Sequence, residues 1–177
     1  MKKLWKELLR NAYEVATTSP DPSTQNGAII VALPPNFSAN KTRYTILGGG
    51  CNHFPRGVKD TPERWNDRAL KYKLVQHAER DGLANVRRSQ GLSYLGGLTM
   101  VCPWAACTDC AKAIIDDGIA RLVIHKQAHD RTPQDSPWME DIKVAHMMLG
   151  EAGVEIIVAD GKVDGPPVRH SGQLWTP

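Results

Sequence analysis

Apolar residues recur at helical spacing from the start of the chain. Leu4, Leu8 or Leu9, Ala12 and Val15 or Ala16 share one face, which predicts an amphipathic helix over about residues 2–17. Glu7, Arg10, Asn11 and Glu14 interrupt any continuous apolar stretch, so this basic start does not read as a secretory segment. The segment "SPDPSTQNG" ends the helix with two prolines and several turn formers. "AIIVAL" then reads as a buried strand, "PPNFSANKTR" as a loop and "YTILGGG" as a second strand paired with the first in a hairpin. Residues Cys51–Tyr72 are irregular, rich in aromatics and charges, and too long for a mere connector. Beyond them helix and strand alternate: a helix over about residues 75–88, the strand "GGLTMVC", the helix "CTDCAKAIIDDG" closed by Gly118, the strand "ARLVIHK", the helix "WMEDIKVAHMMLGEAG" and the strand "VEIIVAD". Such alternation implies parallel pairing through helical crossovers. The expected fold is α/β, a three-layer α/β/α sandwich around a mixed sheet of about five strands. Residues 1–160 are expected to form a single domain, with residues 161–177 a Gly- and Pro-rich C-terminal tail that reads as an arm or a partly disordered segment.

Composition narrows the class. A chain of 177 residues, 41% apolar and 23% charged, has the balance of a soluble domain with a proper core. No apolar run is long enough for a membrane span, so no membrane partner is expected. The net charge of +3 is spread among acids rather than massed in a stripe. That argues against an extended nucleic-acid footprint and leaves room for a small anionic ligand. The cysteines are Cys51, Cys102, Cys107 and Cys110. Without a secretory segment they are expected as reduced thiols or metal ligands of a cytoplasmic protein.

Two short stretches carry the chemistry, "KLVQHAERDG" and "CPWAACTDCAKAII". Each opens a predicted helix, where unpaired amides and the positive end of the helix dipole favour anionic groups. Cys107 and Cys110 are three apart on one helix face, so their sulfurs can converge on one ion with the imidazole of His77. Zinc takes nitrogen and sulfur donors in four-coordinate sites, and three protein ligands leave the fourth position to water. Glu79, two residues after His77, is placed to exchange protons there without being a ligand. A redox C-x-x-C pair would give His77 and Glu79 no role. A structural zinc would want Cys102 as fourth ligand, but its place at a strand end reads as a buried thiol. His53, His125 and His129 read as surface or core residues rather than a second metal site.

H-x-E followed by P-C-x-x-C is the pattern of zinc-dependent deaminases. At these residues the chain resembles the cytidine deaminase-like superfamily and, within it, the deoxycytidylate (dCMP) deaminases. "DPSTQNGAIIV", "GGGCNHFPRGV", "ERWNDRALKY", "VQHAERDGL" and "CTDCAKAIIDDGI" match that family in order, over most of Asp21–Ile119. The resemblance implies zinc held by His77, Cys107 and Cys110, with Glu79 as the proton shuttle. It also implies that Asn52 holds the deoxyribose and that Thr24 to Asn26 and Ala78 line the base and sugar pocket. Trp104 in "PWAAC" resembles the pocket-wall Trp of polynucleotide cytosine deaminases, and reads equally as core packing. The long loop offers Arg56, Arg64, Lys71 and Lys73 as partners for a 5′-phosphate. The implied reaction is hydrolytic deamination of dCMP to dUMP with release of ammonia, Glu79 protonating N3 and then the departing amine. Alternatives are dCTP, CMP, a modified cytosine or tRNA adenosine as substrate, or a zinc-stabilised interaction module without turnover. Ala106 stands where the family has Pro, and Cys51-Asn52-His53 where Tyr-Asn-Gly is commoner, in a loop that serves a nucleotide effector in regulated members. A homo-oligomer is expected from the resemblance.

Overall fold

The N-terminal apolar stripe forms helix α1 (Lys3–Ala16), and the run that follows it forms strand β1 (Gly27–Ala32). A computed structural model describes residues 1–40 and 43–177; of the loop expected at residues 34–43, Lys41 and Thr42 lie outside the described residues. β1 pairs antiparallel with β2 (Thr45–Cys51) on one side and with β3 (Thr99–Val101) on the other. β4 (Arg121–His125) and β5 (Glu155–Ala159) extend the sheet in parallel, giving the order β2-β1-β3-β4-β5. Strands buried on both faces need apolar residues in both parities. Ile29, Val31, Val101 and Val123 accordingly pack toward α1, while Ala28, Ile30, Met100, Leu122 and Ile124 point the other way. That second face is covered by α4 (Ala78–Gln90), α5 (Thr108–Asp116) and α7 (Pro137–Glu151), which completes the three layers. Among the described residues no helix is long and apolar enough to cross a membrane.

Three segments differ from the sequence reading. The stretch after β2 is not wholly irregular: it holds two short helices, α2 (Pro62–Asn66) and α3 (Arg68–Leu74). Pro62 opens the first, and Asp67 caps the second by accepting the Leu70 N–H at 3.0 Å. The expected helix at residue 75 begins only at Ala78, because His53 and Gln76 exchange backbone hydrogen bonds and hold residues 75–77 extended. The C-terminal segment is a hairpin, β6 (Val168–His170) and β7 (Gln173–Trp175), rather than an open arm. Its apolar residues explain this: Val163 and Val168 are fully buried in the α1 cluster, and Trp175 meets Tyr13 edge-on. A short helix α6 (Lys126–His129) also follows β4 directly.

Close approach places α4. A Cβ added at Gly50 would lie 2.4 Å from the Gly82 N and 2.5 Å from the Asp81 carboxylate. Gly50→Ala is therefore expected to push the start of α4 off the sheet and cost at least about 1–3 kcal/mol, read as a lower urea midpoint together with weaker zinc retention. A midpoint unchanged from wild type would mean that the helix has room to shift.

His125 at the end of β4 stacks on Trp175 of the hairpin, with ring centroids 6.0 Å apart, and bonds the segment that leads into it. Its Nε2 donates to the Gly161 carbonyl at 2.9 Å, so Nδ1 accepts from the Tyr13 hydroxyl at 2.7 Å. Burial pushes the His125 pKa below its usual value. The folded state thus binds this proton less readily than the unfolded chain, whose imidazole titrates near 6.5. Stability from this group is full above about pH 6.5 and is lost as pH falls through the folded-state pKa. His146 and His170 are displaced in the same direction, again chiefly by burial. The expected result is a melting temperature that falls as pH drops below about 6.5, with an NMR midpoint for His125 below that value. A midpoint at or above it contradicts the assignment.

Candidate active site

His77 is the N-cap residue of α4 and Cys107 that of α5, with Cys110 in the first turn of α5. Neither N-cap side chain makes a cap bond to its helix backbone; the two turn toward each other. His77 Nδ1 is 3.4 Å from the Cys107 Sγ and 3.4 Å from the Cys110 Sγ, and the three donor atoms lie within 4.8 Å of one another. Among the described residues no other group of three His, Cys, Asp or Glu side chains converges in this way. His53 is instead paired with Asp81 at 3.1 Å, and His125 belongs to the Tyr13 network.

The cluster's electrostatics suit a cation. The Cys107 thiol is lowered to about 4, first by the hydrogen bond from Cys110 and then by His77. His77 is raised to about 9, chiefly by its bond to Cys107, and Cys110 is pushed up in turn. A thiolate with an imidazole and a second thiol beside it, at two helix N-termini, matches the donor set and spread that zinc requires. Proton release from these groups would accompany its binding.

Glu79 lies one residue into α4 and is only 3% exposed. Its Oε2 is buried without a hydrogen-bond partner, and burial raises its pKa above the usual carboxylate value. It borders a cavity of about 360 Å³ together with His77 and Cys107.

The same cavity is lined by Thr24, Asn26, Asn52, Ala78 and Trp104, whereas Gln25, within the span named from the sequence, bonds Ser19 and Arg169 instead. The two asparagines are also structural. Asn52 Oδ1 accepts the Asn26 N–H at 2.7 Å, and its Nδ2 donates to the Asp21 carboxylate and the Thr24 carbonyl. Asn26 Nδ2 donates to the Cys102 Sγ at 3.3 Å, so Cys102 is a buried thiol beside the trio rather than part of it. Of the four basic residues named from the long loop, Arg56, Arg64 and Lys73 lie outside the cavity lining. Arg56 and Lys73 are exposed, and Arg64 donates back to the Lys59 carbonyl at 3.0 Å. Lys71 does reach the cavity, but its ammonium is 2.8 Å from the Asp21 carboxylate, with side-chain exposures of 8% and 2%. That same carboxylate accepts the Ser23 and Thr24 N–H groups, which fixes the loop before β1.

Several residues of the site escaped the sequence reading. Asp141 on α7 accepts the Thr108 N–H at 2.9 Å and the Thr108 hydroxyl at 2.8 Å, capping α5 where Cys107 does not. Its signal is a carboxylate, the second of the pair Glu140 and Asp141, beside Ile142 and near Met139 and Ala145, three of the buried residues of that helix. Arg68, Tyr72, Arg131, Trp138, His170 and Ser171 also border the cavity. Nothing local in the sequence marked them.

A family model for the cytidine and deoxycytidylate deaminase zinc-binding region matches residues 2–126. The chain belongs to this deaminase family. A protein of Aliivibrio fischeri described as an uncharacterized deaminase in the luxG 3′ region is 31% identical over 157 residues, covering 88% of this chain and 93% of its own. Deoxycytidylate deaminase of Mus musculus is 30% identical over 148 residues, covering 81% and 72% respectively. The crystal structure of dCMP deaminase from the cyanophage S-TIM5 in complex with dCMP and dUMP shares the fold, with a TM-score of 0.58, 22% identity and coverage of 91% and 99%. The deaminase family match ends at residue 126, so Arg131, α7 and the C-terminal hairpin lie beyond it.

Proposed function

We propose that this deaminase converts dCMP and water to dUMP and ammonia, with a zinc ion held by His77, Cys107 and Cys110. The observation that carries the reading is the partnerless, buried carboxylate oxygen of Glu79 beside the three donors and in the substrate-sized cavity. When bound, zinc supplies a Lewis acid that brings the pKa of a coordinated water to about 7. The chain's own residues do the rest. Glu79 accepts a proton from the attacking water, donates to N3 of the cytosine ring as C4 becomes tetrahedral, and passes a proton to the exocyclic nitrogen so that ammonia leaves. Ala78 and Trp104 pack the base, while Thr24, Asn26 and Asn52 border the sugar. The names of the mouse and human relatives, both deoxycytidylate deaminases, support dCMP as substrate. Thiol ligands need a reducing compartment, which agrees with the cytoplasm.

A tRNA adenosine substrate fits less well, because the net charge of +3 is spread among acids rather than massed in a stripe that could follow a polynucleotide. Ammonia release measured across dCMP, dCTP, CMP, deoxycytidine, dGMP and tRNA is expected to give dCMP the highest kcat/KM. Activity confined to nucleosides without phosphate, or to tRNA, overturns the substrate assignment. The same assay with deoxynucleoside triphosphates added reads whether the Cys51–His53 loop serves an effector, and light scattering tests the proposed homo-oligomer.

A further inference from the structure

The C-terminal hairpin is built into the cavity wall. Gln25 and Arg169 bond through the Gln25 N–H to the Arg169 carbonyl at 3.0 Å and the Arg169 N–H to the Gln25 Oε1 at 3.1 Å. The Ser171 N–H donates to the Thr24 hydroxyl at 3.2 Å, and the Gly172 N–H to the Ser23 carbonyl at 2.9 Å. These bonds fasten the tip of the hairpin to the loop that Asp21 orders. His170 stacks on Trp104 with ring centroids 4.6 Å apart at 18°, Trp104 neighbours Trp175, and the Arg131 guanidinium lies over Trp175 at 4.8 Å.

Charge then distinguishes this wall from the others. The cations bordering the cavity are Arg68, Lys71 and Arg131, and Lys71 is paired with Asp21. Arg68 donates to the Tyr72 hydroxyl on the α3 side. Arg131 has no carboxylate partner among the described residues, and the hydroxyls of Ser23 and Ser171 beside the hairpin tip have no hydrogen bond there either. A guanidinium with two free hydroxyls is a complement for a phosphate monoester, which offers a dianion and three acceptor oxygens.

We infer that Arg131, with Ser171 and Ser23 at the hairpin tip, forms the subsite for the substrate's 5′-phosphate, making the C-terminal hairpin the wall that selects nucleotides over nucleosides. This rests on the proposed deamination of a cytosine nucleotide and names the residues that choose its class. The contact with Trp175 restrains the guanidinium, so less side-chain freedom is lost when the anion arrives. Burial and then the Arg131 charge lower the pKa of His170, whose ring packs on Trp104.

Two readouts separate this inference from the reading beneath it. Calorimetry with dUMP and deoxyuridine measures phosphate recognition without turnover, and ammonia release from dCMP and deoxycytidine measures it with turnover. Arg131→Gln is expected to weaken dUMP binding, and to lower kcat/KM for dCMP relative to deoxycytidine, by about 10- to 100-fold. Arg131→Lys is expected to recover part of both. Equal losses on nucleotide and nucleoside, or the selective loss appearing in Arg68→Gln instead, overturns the subsite. Wild-type protein that binds dUMP through Arg131 yet releases no ammonia refutes the deamination and leaves the subsite standing. Wild-type protein that does not distinguish dUMP from deoxyuridine refutes the subsite.

Discussion

Glu79→Gln is expected to lower kcat for dCMP by about 10³-fold while the bound zinc stays in place. The substitution keeps the shape of the side chain and removes only its ability to take and give a proton. Oε2 has no partner within the protein, and the bonds from Cys110 and from its own N–H can be accepted by the amide oxygen that glutamine retains. A buried carboxylate is also costly to hold, so the melting temperature should be unchanged or slightly higher. Ammonia release, zinc content by mass spectrometry and a thermal melt on the same preparation check all three points. A zinc-loaded variant turning over at the wild-type rate would falsify the role given to Glu79. Zinc lost along with activity would mean that the residue supports the metal site instead.

Lys71→Met should have the largest effect on stability, about 3–5 kcal/mol, because it leaves the Asp21 carboxylate buried without its counter-charge. The ammonium is 2.8 Å from that carboxylate, and the loop amides of Ser23 and Thr24 and the amide of Asn52 converge on the same two oxygens. Loss of the lysine therefore loosens the wall that carries Thr24, Asn26 and Asn52, and KM for dCMP should rise with the loss of stability. Urea unfolding followed by circular dichroism gives the first quantity. The double variant Asp21→Asn, Lys71→Met should recover part of it, since the unpaired charge is removed. A single-variant loss below about 1 kcal/mol would mean that water already screens the pair.

The parts of the site that could be read from the sequence are those whose geometry is local. His77 and Glu79, and Cys107 and Cys110, are two and three residues apart, so a helix start is enough to aim them, and the structure sets each pair at the N-terminus of a helix. The sheet was legible for a similar reason, because strands covered on both faces appear as unbroken apolar runs. Where α4 begins was not, since the extended residues before it are held by His53, more than twenty residues away in the chain. The choice among basic residues failed on orientation: α2 and α3 turn Trp65 and Lys71 inward and Lys73 into solvent, Arg56 lies exposed in the loop ahead of them, and no local pattern reports which way so short a helix faces. The hairpin's role was out of reach altogether. Its Gly and Pro content suggested an arm, whereas its partners are residues 144 and 147 positions earlier.

Those sequence separations bear on how the protein is made. During synthesis every strand of the main sheet and the His77, Cys107 and Cys110 cluster leave the ribosome before residues 168–175, so that half of the site can assemble while its remaining wall is still unmade. Closing a loop of that length late in folding is entropically slow. A nascent deaminase would thus acquire its reactive centre first and its ability to discriminate among ligands last.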